Sequence, residues 1–93
     1  MSDGKASEWD SLREKLIEEG GFPKVYMFKF IIPSDNQKLA QVQALFGPEA
    51  IVNMRSSKNG KYLSISANEM MLNVDNIILR YEEAMKVEGI IAL

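Results

Sequence analysis

The sequence predicts one α+β domain in which an extra helix precedes strands and helices in the order β-α-β-β-α-β. Three observations support this prediction: runs rich in aromatic and β-branched residues, apolar residues at helical spacing between them, and one Asn-Gly dipeptide joining two such runs. With 93 residues, 46% of them apolar and 26% charged, the chain can form one modest core. We expect residues 1–21 to form a tail and the added helix, and residues 22–93 to form the domain.

The added helix is predicted to begin near Ser7, which can act as its N-cap, and to end after Glu19 at Gly20-Gly21. Its narrow apolar stripe consists of Trp9, Leu12, Leu16 and Ile17. Two positions are open to this helix, because its stripe can pack either on the other helices or over the open face of the sheet.

The first strand is predicted over residues 24–32, and Pro33 ends it because proline lacks a backbone donor. Alternation puts Tyr26, Phe28 and Phe30 on one face, and Val25, Met27, Lys29 and Ile31 on the other. Ser34 and Gln37 match a capping box for a second helix, which Gly47-Pro48 ends.

Two further strands, over residues 50–57 and 62–71, flank Asn59-Gly60, the dipeptide best suited to a type I′ hairpin turn. A turn at these two residues puts Lys58 opposite Lys61, Val52 opposite Ala67 and Met54 opposite Ile65. The resulting hairpin has one apolar and one polar face, as a half-buried antiparallel sheet requires.

A last helix is predicted from its N-cap Asn73 to about Lys86, and residues 89–93 supply a short final strand. Right-handed crossovers turn this order of elements into a four-stranded antiparallel sheet with two helices on one face. The predicted architecture is therefore a ferredoxin-like plait with an added N-terminal helix.

The composition excludes several classes of chemistry. Because the chain has no cysteine and no histidine, it offers neither a disulfide, nor a thiolate zinc site, nor the commonest general base. No glycine-rich phosphate loop or nucleophile elbow occurs either. We therefore expect no enzyme activity, no catalytic residues, no metal and no cofactor.

The charge and hydropathy of the chain also limit its partners. A net charge of −2 argues against nucleic acid, which is bound by an excess of lysine and arginine. The strand order matches RNA-recognition modules, but Tyr62 is the one aromatic residue expected on the open face. No apolar run reaches the roughly 18 residues of a membrane span, so we expect a cytoplasmic protein without membrane contact.

The predicted hairpin concentrates cations and hydroxyl groups, which pair well with carboxylate or phosphate groups. The candidate binding residues are Arg55, Ser57, Lys58, Lys61, Tyr62 and Ser64 on the hairpin, with Met27 and Lys29 on the first strand. Such a mixture of apolar and cationic groups suits a partner protein or a second copy of the chain. The alternative interpretation is that Asn59-Gly60 only turns the chain and that the lysines keep an edge strand soluble.

Two segments, Arg55-Ser56-Ser57-Lys58 and Gly60-Lys61-Tyr62-Leu63-Ser64-Ile65-Ser66, resemble the YbeD-like family of small bacterial proteins of unknown function. Phe22-Pro23 before the first strand adds to the resemblance, which covers residues 22–93. It implies a ferredoxin-like fold similar to the amino-acid-binding regulatory modules called ACT domains, and it implies no catalytic residues.

Two functions follow as hypotheses. The first is a non-catalytic regulatory or protein-interaction module that binds a partner protein, or itself, through the open sheet face or an edge strand. The second, by analogy with ACT domains, is a sensor for a small anionic metabolite such as an amino acid, held by the hairpin cations.

Overall fold

The computed structural model describes residues 9–93, so that Ser7, the predicted cap of the first helix, lies outside them. These residues form α1 (Asp10–Glu19), β1 (Lys24–Pro33), α2 (Asn36–Gln43), β2 (Ile51–Ser56), β3 (Tyr62–Met71), α3 (Val74–Ala84) and β4 (Ile91–Ala92). The strands form one antiparallel sheet in the order β2-β3-β1-β4. The prediction of an α+β fold with a four-stranded antiparallel sheet is confirmed.

The core lies between the helices and one face of the sheet, because from Tyr26 onward every second side chain of β1 is large, mainly apolar and directed to that side. Its largest fully buried side chains are Phe28, Phe30 and Ile32 of β1, Ile65 of β3, Val42 of α2 and Ile77 of α3. Burial of a side chain of this size contributes about 1.5–3 kcal/mol to stability, so the cluster holds α2 and α3 against the sheet. The alternation predicted for the first strand is confirmed.

The added helix α1 packs on α3, and α3 itself lies on the core side of the sheet. Leu16 is buried, and the Trp9 ring stacks on the Tyr81 ring with 5.2 Å between ring centroids. Arg13 forms an ion pair with Asp75 at the start of α3. Of the two positions that the sequence left open, α1 therefore takes the one against the helices, and the described residues leave the other face of the sheet uncovered.

The start of α2 differs from the prediction. Asp35, rather than Ser34, is the N-cap, and its Oδ1 accepts hydrogen bonds from the amides of Gln37 (2.7 Å) and Lys38 (3.2 Å). The predicted capping box is wrong because a charged acceptor one residue later satisfies the same free amides and interacts favourably with the helix dipole. The N-cap of α3 is Asn73, as predicted.

The hairpin of β2 and β3 has the predicted register but not the predicted turn. Val52 lies opposite Ala67, and Met54 lies opposite Ile65. The turn hydrogen bond runs from the Gly60 amide to the Ser57 carbonyl (3.0 Å), so Lys58 and Asn59 are the central residues of the turn. Gly60 follows them with a φ of 75°, which glycine adopts without strain. The Asn59 side chain accepts a hydrogen bond from the Lys61 amide and thereby holds a wider loop than a type I′ turn.

The final strand is shorter than predicted. Only Ile91–Ala92 pairs with β1, opposite Ile31 and Phe30. The chain nevertheless continues beside β1, since the Leu93 amide donates a hydrogen bond to the Lys29 carbonyl (2.9 Å). Leu93 thus comes to lie next to Lys29 on the sheet.

Candidate functional site

The face of the sheet opposite the helices, here called the open face, carries the candidate site in rows set by the strand pairing. One end is apolar: Met70 lies beside Val25, and the next row contains Ile51, Asn68 and Met27. The third row contains Asn53, Ser66, Lys29 and Leu93, and the fourth contains Arg55, Ser64, Ile31 and Ile91. The open face therefore has an apolar end (Val25, Met27, Ile51 and Met70) next to a polar and cationic centre.

The centre of the open face contains a cavity of about 550 Å³, here called the central cavity. Its polar lining comes from Lys29, Asn53, Arg55, Ser64 and Ser66, and Leu93 closes one side. Within residues 9–93, neither Lys29 nor Arg55 forms an ion pair. The lining contains two cations, two hydroxyl groups and one amide but no aspartate or glutamate, so it can hold a carboxylate or phosphate group through charge-assisted hydrogen bonds.

Three of the predicted binding residues, Lys29, Arg55 and Ser64, meet at the central cavity. Met27 does not join them. Arg55 and Ser64 lie in the row of Ile31, and Met27 lies four residues before Ile31 along β1. At the usual rise of a strand, about 13 Å separate the row of Met27 from the row of Arg55 and Ser64. Met27 therefore belongs to the apolar end.

The other predicted residues lie at the turn, outside the central cavity. The Ser57 hydroxyl donates a hydrogen bond to Asn59 Oδ1 (3.0 Å) and accepts one from the Tyr62 amide (3.1 Å). Its hydroxyl is thus engaged in shaping the turn. Lys58 and Lys61 are exposed at the tip, and Tyr62 is half exposed opposite Pro33.

The predicted binding residues did not include Asn53, Ser66 and Leu93, which also line the central cavity. Asn53 and Ser66 could have been identified from the sequence, because the predicted register already puts them opposite each other on the polar face of the hairpin. Leu93 carried no such signal, since its place depends on the pairing of the last residues with β1.

A second polar cluster, on the core side of the sheet, was also missed. Arg80 of α3 donates a hydrogen bond to Glu69 of β3 at 2.6 Å, with side-chain exposures of only 18% and 15%. The other oxygen of Glu69 accepts the Gly47 amide (3.1 Å), and the guanidinium group lies over the rings of Phe28 and Phe46. Since each charged group has a partner, the cluster ties α3 to β3 and to the loop after α2.

The tyrosine pair near this core is structural as well. The hydroxyl groups of Tyr26 and Tyr81 are 2.9 Å apart. Burial raises the pKa of Tyr81 far above its ordinary value, and the hydrogen bond with Tyr26 raises it further. Tyr81 therefore stays neutral near pH 7, and such a high pKa does not suit a general acid or base at that pH.

Over residues 9–93, no three carboxylates lie close enough together to hold a metal ion. In the same range, no helix is both long enough and apolar enough to cross a membrane.

Comparisons of the chain with protein-family models, curated proteins and solved structures gave no match. The functional interpretation therefore rests on the geometry of the open face.

Proposed function

We propose that the chain is a non-catalytic regulatory module of the cytoplasm that binds a partner protein through the open face. As part of this proposal the fold is a ferredoxin-like plait. The strand order β2-β3-β1-β4 supports it, because α2 links β1 to β2 and α3 links β3 to β4, as the two crossovers of that plait do. Membership of the YbeD-like family, with its ACT-like fold, belongs to the same proposal.

The observation that carries the proposal is the apolar area left exposed on the open face. Its large apolar side chains that are about half exposed or more are Val25, Met27, Ile51, Tyr62, Met70, Ile91 and Leu93. Single exposed apolar residues need no explanation, but a group gathered on one face is typical of a protein-interaction surface. Because α1 packs on α3, none of the described helices covers these side chains.

The charge of the open face indicates the chemistry of the partner. Its charged side chains are Lys29 and Arg55, and none of the residues that the strands direct to this face is a carboxylate. A symmetric dimer through this face brings like charges together, which is unfavourable. A partner with carboxylates among apolar side chains fits better.

The proposal is tested by co-purification of tagged protein from cells, followed by mass spectrometry. We expect the variant Met27→Asp/Arg55→Glu to lose the partner, because it adds charge to the apolar end and reverses a cation. The matched control is Ile17→Asp/Lys86→Glu, which makes the same kinds of change at exposed positions of α1 and after α3. Equal recovery of every partner by wild type and both folded variants contradicts the proposal.

The central cavity favours a second candidate, a sensor that binds a small anionic metabolite such as an amino acid. Its support is the convergence of Lys29, Arg55 and two serine hydroxyl groups on one cavity. A ligand at 100 times its dissociation constant stabilises the native state by about 2.7 kcal/mol, which raises the melting temperature of so small a domain by roughly 10 °C or more. A thermal-shift screen of amino acids, organic acids and phosphates tests this candidate. A hit that Arg55→Ala abolishes supports it, and a flat screen argues against it.

A further inference from the structure

The strand β2 forms a free edge of the sheet, and its backbone has a defined set of unpaired groups. The Ser57 amide donates a hydrogen bond to the Tyr62 carbonyl, and this bond determines which residues of β2 exchange backbone hydrogen bonds with β3. Ile51, Asn53 and Arg55 therefore direct their backbone groups to β3, whereas Val52, Met54 and Ser56 direct theirs outward. Six consecutive residues are in strand conformation, and within residues 9–93 no element pairs with this outer side.

This edge lacks the features with which proteins usually protect edge strands. The opposite edge, β4, is protected by having only two residues. By contrast, β2 contains no proline and no lysine, and its pairing with β3 runs without a bulge. Its one charged side chain, Arg55, lies on the open face rather than across the edge. The edge is thus available for the addition of another strand.

The charge of the hairpin indicates what kind of strand fits. Residues 50–68 contain three cations, Arg55, Lys58 and Lys61, and all thirteen carboxylates of the chain lie outside this segment. Pairing of β2 with β2 of a second copy lines up two such hairpins without any carboxylate from either. An acidic segment instead supplies the missing negative charge.

We propose that β2 binds an extended, acidic segment of a partner protein, which adds to the sheet as a fifth strand. This inference rests on the proposed function and specifies the partner and the mode of binding. Backbone hydrogen bonds to Val52, Met54 and Ser56 supply the attachment. The alternate side chains of the added strand extend the open face, where a carboxylate lies beside Arg55 and an apolar side chain lies beside Ile51.

The test uses a display library of random short peptides, selected on the wild-type protein. We expect the enriched peptides to be rich in β-branched residues and to carry an acidic residue four positions from an apolar one, which is the spacing of Arg55 and Ile51 along β2. Met54→Pro removes one outward amide without touching the ladder to β3, and it should weaken their binding about tenfold or more. The matched control Met54→Thr keeps the amide and should bind within about twofold of wild type, while Arg55→Glu should lose affinity for the acidic peptides.

Amide hydrogen exchange gives a second readout that does not depend on the folding of any variant. In the wild-type protein, the selected peptide should protect the amides of Val52, Met54 and Ser56. Unchanged exchange at these amides, enrichment of basic peptides, or binding unaffected by Met54→Pro overturns the inference. A protein that is already a dimer, split by Met54→Pro, also overturns it and assigns the edge to a second copy.

The experiment separates this inference from the proposed function. Peptides or partners that are lost in Met27→Asp but kept in Met54→Pro contradict strand addition while supporting the open face as a binding surface. If binding is kept in both Met27→Asp and Met54→Pro, strand addition and binding through the open face are both contradicted.

Discussion

The ion pair between Glu69 and Arg80 gives the most quantitative prediction for stability. Arg80→Met removes a 2.6 Å charge-assisted hydrogen bond and the stacking of the guanidinium group on Phe28 and Phe46. Breaking a fully buried pair costs about 3–5 kcal/mol because one charge is left without its partner. Here Glu69 keeps the Gly47 amide and is 15% exposed, so we expect about 2–3 kcal/mol. At about 4–8 °C per kcal/mol, the melting temperature should fall by roughly 10–20 °C.

Urea unfolding, followed by circular dichroism, measures this loss. The matched control is Lys86→Met, which breaks the exposed pair with Glu83 and should cost less than about 0.5 kcal/mol. Adding Glu69→Gln to Arg80→Met should restore part of the loss, because the glutamine carbonyl still accepts the Gly47 amide and no unpaired carboxylate remains. If Arg80→Met costs no more than Lys86→Met, the stabilising role assigned to this cluster is wrong.

Two further predictions concern the contact of α1 with α3 and the buried tyrosine. Leu16→Ala should destabilise the domain by about 2–3 kcal/mol and shift the fluorescence of Trp9, the single tryptophan, to the red. The control Ile17→Ala, at an exposed position, should change neither stability nor fluorescence. Unchanged fluorescence in Leu16→Ala contradicts the packing of α1 on α3. Because the pKa of Tyr81 is raised by folding, its contribution to stability is full below pH 10 and lost as the pH rises further. The unfolding free energy should therefore fall by up to about 1.4 kcal/mol per pH unit above pH 10, and Tyr81→Phe should reduce this slope.

The elements of the fold were predictable where one local rule acted without competition. In β1 the alternation of aromatic and exposed residues fixes which face is buried, so Phe28 and Phe30 could be assigned to the core. The hairpin register followed from the position of Asn59-Gly60, because the observed loop over residues 58–61 is centred on the same two residues and therefore gives the same pairing. The cap of α2 was not predictable in the same way, because Ser34 and Asp35 are both good caps and the choice depends on the path of the chain out of β1.

The candidate site was predictable only in part, for a similar reason. Alternation assigned Lys29, Arg55 and Ser64 to one face, and pairing across the sheet brings them together. Alternation says nothing about distance along the sheet, so Met27 was grouped with Arg55 and Ser64, which lie two rows away from it. Ser57 looked like a ligand because a hydroxyl group in a turn gives no sign of whether it already bonds to its own loop.

The concentration of cations on the hairpin also affects how fast a partner associates. The chain has a net charge of −2, yet residues 50–68 carry cations alone. A negatively charged molecule that diffuses near the protein is therefore drawn to this hairpin and turned away from the acidic helices α1 and α3 before any contact forms. Such steering raises the association rate constant at low ionic strength, and added salt reduces it because the screening length is only about 8 Å at physiological ionic strength. The dissociation rate constant, which depends on contacts already made, should change much less.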